Sequence, residues 1–166
     1  MKRSQLPVIG RAEKVEFPEL GYGKIVAKVD TGADLSSLWA THIKEGEDGL
    51  SFIPFGKRFP KYKARAVTMQ KGQYSVTRVA NSFGEREVRY VVKLRVKITG
   101  KLVLGTFTLA NRARKTYPIL LGRKLLKGKF LVDVAAGSAL EQAERLKRQQ
   151  LRDNLPTLRD KMRQSS

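Results

Sequence analysis

No cysteine occurs in the 166 residues, and the only histidine is His42. The first absence excludes disulfides, thiol nucleophiles, iron–sulfur clusters and every cysteine-based zinc site. The second excludes an H-E-x-x-H zinc-peptidase pattern and any multi-histidine metal cage within one chain. Long apolar runs are missing too: none approaches the ~18 residues that a membrane span needs. The opening Met1-Lys2-Arg3-Ser4-Gln5-Leu6-Pro7 has no apolar h-region of a signal peptide. The expectation is a protein of the cytoplasm, or of the periplasm if a leader has been trimmed, with no membrane partner. The length fits one domain able to bury a core without staples.

The middle of the chain is short of acid. Residues 57–132 hold 20 Lys and Arg against only Glu85 and Glu87, whereas residues 1–56 are nearly balanced with 7 basic and 8 acidic side chains. The formal net charge of +19 is therefore almost entirely a property of that middle segment. Lys57, Arg58, Lys61, Lys63 and Arg65 form its densest run, and Arg112, Arg114 and Lys115 another. Such a field attracts polyanions and speeds their encounter, so nucleic acid, ribosome and acidic polypeptide are the partners to consider. A solvated face that keeps the protein soluble is the plainer alternative.

Short β-type runs dominate up to residue 133. Lys24-Ile25-Val26-Ala27-Lys28-Val29 is apolar and β-branched, as a buried strand requires. Val92, Leu94, Val96 and Ile98 alternate with Lys93, Arg95 and Lys97 at the period of a half-buried strand. Leu102-Val103-Leu104 and Thr106-Phe107-Thr108-Leu109 read as a further strand interrupted by Gly105, and Asn81-Ser82-Phe83-Gly84 and Thr99-Gly100 as turns. Strands at this spacing without alternating helices predict a mainly β fold, a sandwich or small barrel. Two helices are expected. One is short, from Gly122 to Gly128. The other opens on a capping box, Ser138 at N-cap with Glu141 three residues on, and runs to about Asn154 with a thin stripe of Leu140, Ala143, Leu146 and Leu151. Residues 1–137 thus form the domain, and 138–166 a C-terminal helix and polar tail.

The chemistry-bearing segment is Val29-Asp30-Thr31-Gly32-Ala33-Asp34, directly after the buried-type strand. A carboxylate there sits where the chain must turn, Thr31 can hydrogen-bond within the turn, and Gly32 lets the backbone approach a substrate. An Asp-[Ser/Thr]-Gly triplet arises by chance in about one chain in ten of this size, so alone it is also an ordinary turn. Some 90 residues later, Pro118-Ile119-Leu120-Leu121-Gly122-Arg123 is an apolar strand running into Gly-Arg. Together the two segments resemble the turn and crossing strand of single-domain, retropepsin-like aspartic peptidases. That resemblance implies an acid-protease barrel, a catalytic Asp30-Thr31-Gly32 loop, support from Ala33, Leu121 and Gly122, and a structural ion pair between Asp34 and Arg123.

Over residues 7–135 the likeness is closer. Val8-Ile9-Gly10-Arg11, Ala27-Lys28-Val29-Asp30-Thr31-Gly32-Ala33, Ser36-Ser37-Leu38, Thr108-Leu109-Ala110-Asn111-Arg112, Tyr117-Pro118-Ile119-Leu120-Leu121-Gly122-Arg123 and Gly128-x-Phe130-Leu131-Val132-Asp133 follow in order. The chain is similar to the bacterial, RimB-like family labelled "ATP-dependent zinc protease", whose members often accompany the ligase that adds glutamates to a ribosomal protein. The label does not fit these residues. Typical members carry His where this chain has Trp39, and His42 alone with scattered carboxylates is a poor zinc site. His42 reads as a surface or turn residue. No G-x-x-x-x-G-K-[ST] loop is present to cradle ATP. Neither metal nor cofactor is expected.

An aspartic peptidase needs two carboxylates that share a proton. With one Asp-Thr-Gly per chain, a homodimer in which each copy supplies Asp30 is the expected solution. Asp133 is the one rival within the chain, although a turn-capping role suits it better. Residues 67–76 are a candidate hairpin flap with Lys71 and Gly72 at its tip, or a plain surface hairpin. Lys71, Gly72 and Arg112 are the candidate substrate-binding residues. Phe52, Phe55, Phe59 and Tyr62 are expected in the core rather than along a groove. The functional expectation is an aspartic endopeptidase acting on an acidic, glutamate-rich polypeptide. Its rival is a catalytically inactive peptidase-like domain that binds RNA, ribosome or another polyanion.

Overall fold

The computed structural model describes residues 6–80, 86–157 and 159. Eleven strands and two helices follow one another along them. They are β1 (Val8–Ile9), β2 (Ala12–Glu16), β3 (Ile25–Asp30), β4 (Ser36–Gly46), β5 (Gly49–Pro54), β6 (Val67–Met69), β7 (Tyr74–Ala80), β8 (Arg86–Ile98), β9 (Lys101–Ala110) and β10 (Ile119–Gly122), then α1 (Arg123–Leu126), β11 (Leu131–Val132) and α2 (Glu141–Asp153). The fold is mainly β, as the alternating runs predict. No helix among the described residues is long and apolar enough to cross a membrane.

Six strands close into a ring in the order β10, β3, β2, β8, β9, β4 and back to β10. Both β10–β3 and β4–β9 are parallel pairs, joined by antiparallel neighbours. The interior is filled as period two demands: Val92, Leu94, Val96 and Ile98 of β8 point inward with Lys93, Arg95 and Lys97 exposed between them. Leu38, Phe107, Ile119 and Leu121 meet them from the facing strands. β9 runs through Gly105 without a break, contrary to the interruption expected there. The glycine serves packing: a Cβ would press on Leu125 of α1 and on the Phe107 ring.

Beyond the ring the sheet continues from β4 through β5 to β6, over an aromatic extension of the same core. Phe52 and Phe55 are fully buried, Phe59 stacks on Phe55 at 4.3 Å, and Tyr22 and Trp39 meet these rings edge-on. Tyr62 is half-buried. His42 occupies the β-bulge where the β4–β5 register shifts, exposed and with φ 52°, so it is the surface turn residue its sequence context implied.

Two expectations fail here. Residues 67–76 do not form a hairpin: Gly72 (φ +88°) makes a turn closed by Gln73 N–H to the Gln70 carbonyl, but β6 then pairs with β5 and β7 with β8. The Tyr74 and Tyr90 hydroxyls, on β7 and β8, both donate to Glu45 of β4. The true hairpin is β7–β8. Its connection, the turn expected over residues 81–84, lies outside the described residues. The second failure is the capping box. α2 starts at Glu141 with Leu140 at its N-cap and no side-chain cap, so Ser138 lies two residues outside the helix, where its N–H bonds the Ala12 carbonyl at 2.6 Å. The short helix α1, followed by Gly128 at φ +70°, is as expected.

Candidate active site

β3 delivers Asp30 to the end of the ring. Its neighbour β10 pairs in parallel with Leu121 opposite Val29 and Gly122 opposite Asp30, so the apolar-Gly strand lies directly beside the turn. Only glycine fits at 122: the backbone of Leu35 and Ser36 fills the space a Cβ needs. Backbone bonds then lace the loop down. Arg123 N–H reaches the Ala33 carbonyl at 2.8 Å, Lys124 N–H the Asp34 carbonyl at 3.1 Å, and Gly122 N–H the Ser36 hydroxyl at 3.0 Å. The Asp34–Arg123 ion pair implied by the resemblance is present.

Within the loop, Asp30 Oδ1 accepts from the N–H groups of Gly32 and Ala33, both at 3.2 Å, which fixes the carboxylate by its own turn. Thr31 is exposed. A Cβ at Gly32 would touch only Asp30 Oδ1, at an ordinary 3.5 Å. The other side of Gly32 is open.

Asp30 faces an open cavity of about 1140 Å³. One wall is the end of β7, residues 77–80, with Arg89 of β8; another is Arg112 and residues 115–117; a third is α2, through Glu144, Lys147, Arg148 and Leu151. Nine Lys and Arg side chains line it, against Asp30, Asp34 and Glu144. Arg112 is the most constrained cation. Its Nε donates to the Tyr117 carbonyl at 3.0 Å. Burial first, then the adjacent Arg89, push its guanidinium down to about 10, while Asp30 pulls the other way. A half-buried charge of this kind is stabilised by an added anion.

Lys71 and Gly72 do not reach this cavity; they belong to the turn before β7, with Lys71 beside Glu45. Arg112 is the one candidate substrate-binding residue that does. Sequence reasoning missed Arg89 and residues 77–80, whose approach to Asp30 depends on β7–β8 pairing, and the α2 side chains. Asp133 is not among the lining residues. Its Oδ1 accepts from the Ala135 N–H at 2.9 Å, which is the turn-capping role. Trp39 is also elsewhere, buried against Gly56 and Phe59. Among the described residues no cluster of His, Asp and Glu is placed to hold a metal ion.

A closed β ring that presents an Asp-Thr-Gly turn against an apolar-Gly strand is the architecture of a retropepsin-like protein. The family model described as the retropepsin-like aspartic endopeptidase RimB matches residues 8–141, and the chain belongs to this RimB-like family. Similar curated proteins are named "Probable alpha-L-glutamate ligase". The one from Desulfotalea psychrophila is 32% identical over 83% of this chain, and that from Shewanella pealeana 34% identical over 87%. The matched part is 30% and 32% of those proteins, so the chain spans about a third of their length. Among solved structures, a Legionella pneumophila protein of unknown function, Lpg0085, is similar, with TM-score 0.60 and 29% identity over 79% of this chain and 95% of that one.

Proposed function

We propose that the protein is an aspartic endopeptidase that works as a homodimer on acidic, glutamate-rich polypeptides, with one Asp30 from each copy forming the catalytic pair. The observation that carries this reading is the Asp30 turn, locked against β10 and opening into a cavity with nine cations. The other two acids lining that cavity are already engaged, Asp34 with Arg123 and Glu144 with Arg11 and Tyr117. A second chain is therefore the source of the companion carboxyl group. The exposed Thr31 and the vacant side of Gly32 are where the second loop and the peptide backbone would lie.

In such a pair one carboxylate takes a proton from a bound water as its oxygen attacks the scissile carbonyl carbon. The partner carboxyl gives its proton to the carbonyl oxygen. The resulting diol collapses as the C–N bond breaks: the first carboxyl protonates the departing nitrogen, and the second recovers a proton from the diol. The pair ends with one shared proton, as it began. Arg112 and Arg89 would hold substrate carboxylates near the cleaved bond, which relieves the unneutralised charge of Arg112. The names of the similar ligases point to α-linked glutamate as the polymer.

Asp30→Asn tests the assignment. Cleavage of an oligoglutamate peptide should fall below detection while the melting temperature holds, and native mass measurement should give twice the chain mass. Unchanged turnover would refute the catalytic role. The nine cations also favour a second reading, a polyanion-binding module without hydrolysis. It predicts a steeply salt-dependent RNA affinity indifferent to Asp30→Asn.

A further inference from the structure

The C-terminal helix buries none of its residues. Its attachment is polar. Glu144 accepts from Arg11 Nη1 at 2.8 Å and from the Tyr117 hydroxyl at 2.6 Å, and that hydroxyl also accepts from the Leu140 N–H at 3.0 Å. Held this way, α2 turns one face to the Asp30 cavity: Glu144, Lys147, Arg148 and Leu151, the i, i+3, i+4, i+7 set. A merely solvated charged face would point away from the domain and leave the apolar stripe inward. Here Lys147 and Arg148 turn to the cavity beside Leu151, while Leu146 points away and is more than half exposed.

Among the described residues, neither Lys147 nor Arg148 forms a salt bridge, whereas Glu144 is consumed by its anchor. The family match ends at residue 141, where α2 begins.

We infer that α2 is a substrate-binding wall, in which Lys147 and Arg148 bind carboxylates of the acidic peptide across the cavity from Arg89 and Arg112, and Glu144 is the positioning residue that fixes the helix. This rests on the acidic-substrate reading above. The helix would thereby set how many consecutive acidic side chains the cleft requires, because it lengthens the cationic lining beyond the loop and the β7–β8 arm.

The test uses the full chain carrying Asp30→Asn, so that binding is read without cleavage. Fluorescein-labelled octaglutamate is titrated by anisotropy at low salt. Adding Lys147→Glu and Arg148→Glu should weaken binding about tenfold or more, each lost or reversed ion pair adding to the next. The control pair Arg145→Glu and Arg152→Glu changes net charge equally on the same helix, but neither residue lines the cavity. It should weaken binding less than about threefold. Lys147→Ala with Arg148→Ala, which keeps helix propensity, should give an intermediate loss at unchanged helical circular dichroism. Equal losses in the charge-reversed and control pairs, or no loss in either, would overturn the wall while leaving the substrate reading standing. Failure of the Asp30→Asn parent itself to bind octaglutamate would overturn both.

Discussion

The floor and the walls of the Asp30 cavity are built by different physics. The floor is β3, β10 and the first residues of β4, where Leu38, Ile119 and Leu121 are fully buried and the turn is pinned by backbone bonds, the Ser36 hydroxyl, the Asp30 carboxylate and the Asp34–Arg123 pair. The walls are the overhanging β7–β8 arm and α2. Val76 and Val88 on the arm are about 60% exposed, and α2 hangs on one carboxylate. A rigid floor holds a catalytic group to within fractions of an ångström, while polar, solvent-facing walls can move and admit a polymer. The difference teaches where stability and recognition are separable in this protein, and substitutions can test that separation.

The largest effect should come from the floor. Gly122→Ala forces a methyl group into the Leu35–Ser36 backbone, which no side-chain rotation relieves. A loss of about 2–3 kcal/mol is expected, or about 5–10 °C in melting temperature, together with loss of cleavage. A calorimetric scan and a peptide-cleavage assay decide it. A variant that melted like the parent would mean the floor is as pliable as the walls.

Arg112 sits between the two regions, and the effects on stability and function should diverge there. Arg112→Met removes a cation that burial and Arg89 disfavour, but it also removes the donor to the Tyr117 carbonyl. The two offset, so the melting temperature should move by less than about 2 °C. KM for an acidic peptide should rise about tenfold. Kinetics and thermal melts on the same preparation separate these quantities.

The next effect is confined to a wall. The Tyr117 hydroxyl, and then the Arg11 guanidinium, hold the Glu144 carboxyl below its ordinary value of 4.5. Its contribution to docking α2 is thus fully present above that value and lost as pH falls through the lowered one. Amide NMR signals of Leu140 and the first turn of α2 should shift on acidification, while those of β8 hold. In Glu144→Gln they should already resemble the acid form at neutral pH. Simultaneous change in β8 would mean that the wall and ring unfold as one unit.

This division also explains how much the sequence disclosed. The ring strands were legible because period two is a local signal, plain in residues 92–98. Asp30 at a strand-end turn was legible in the residues, whereas the packing of Gly122 and the Asp34–Arg123 pair came from the resemblance to retropepsin-like peptidases. The walls were not. Pairing of β7 with β8 rather than β6 is a choice between its two sequence neighbours that no local pattern distinguishes. The stripe of Leu140, Ala143, Leu146 and Leu151 marked the docked face of α2 only in part: Leu140 is half-buried and Leu151 lines the cavity but Leu146 is exposed, since apolar periodicity finds faces that bury and this helix docks through charge. The capping box likewise matched the spacing but not the backbone, which enters the helix at Leu140, two residues after Ser138.

The smallest effect sharpens the comparison from the ring's far side. Thr99 and Gly100 join β8 to β9 in a two-residue turn with φ of 44° and 83°, so both residues are left-handed. A β-branched residue is strained at such a position, and asparagine is preferred there. Thr99→Asn should stabilise the protein by a few tenths to about 1 kcal/mol, read as a rise of about 1–4 °C in melting temperature. Because the turn touches neither wall, KM for an acidic peptide should stay put. A change in KM with so remote and local a relief of strain would mean that the ring transmits its state to the arm, and that floor and walls are coupled after all.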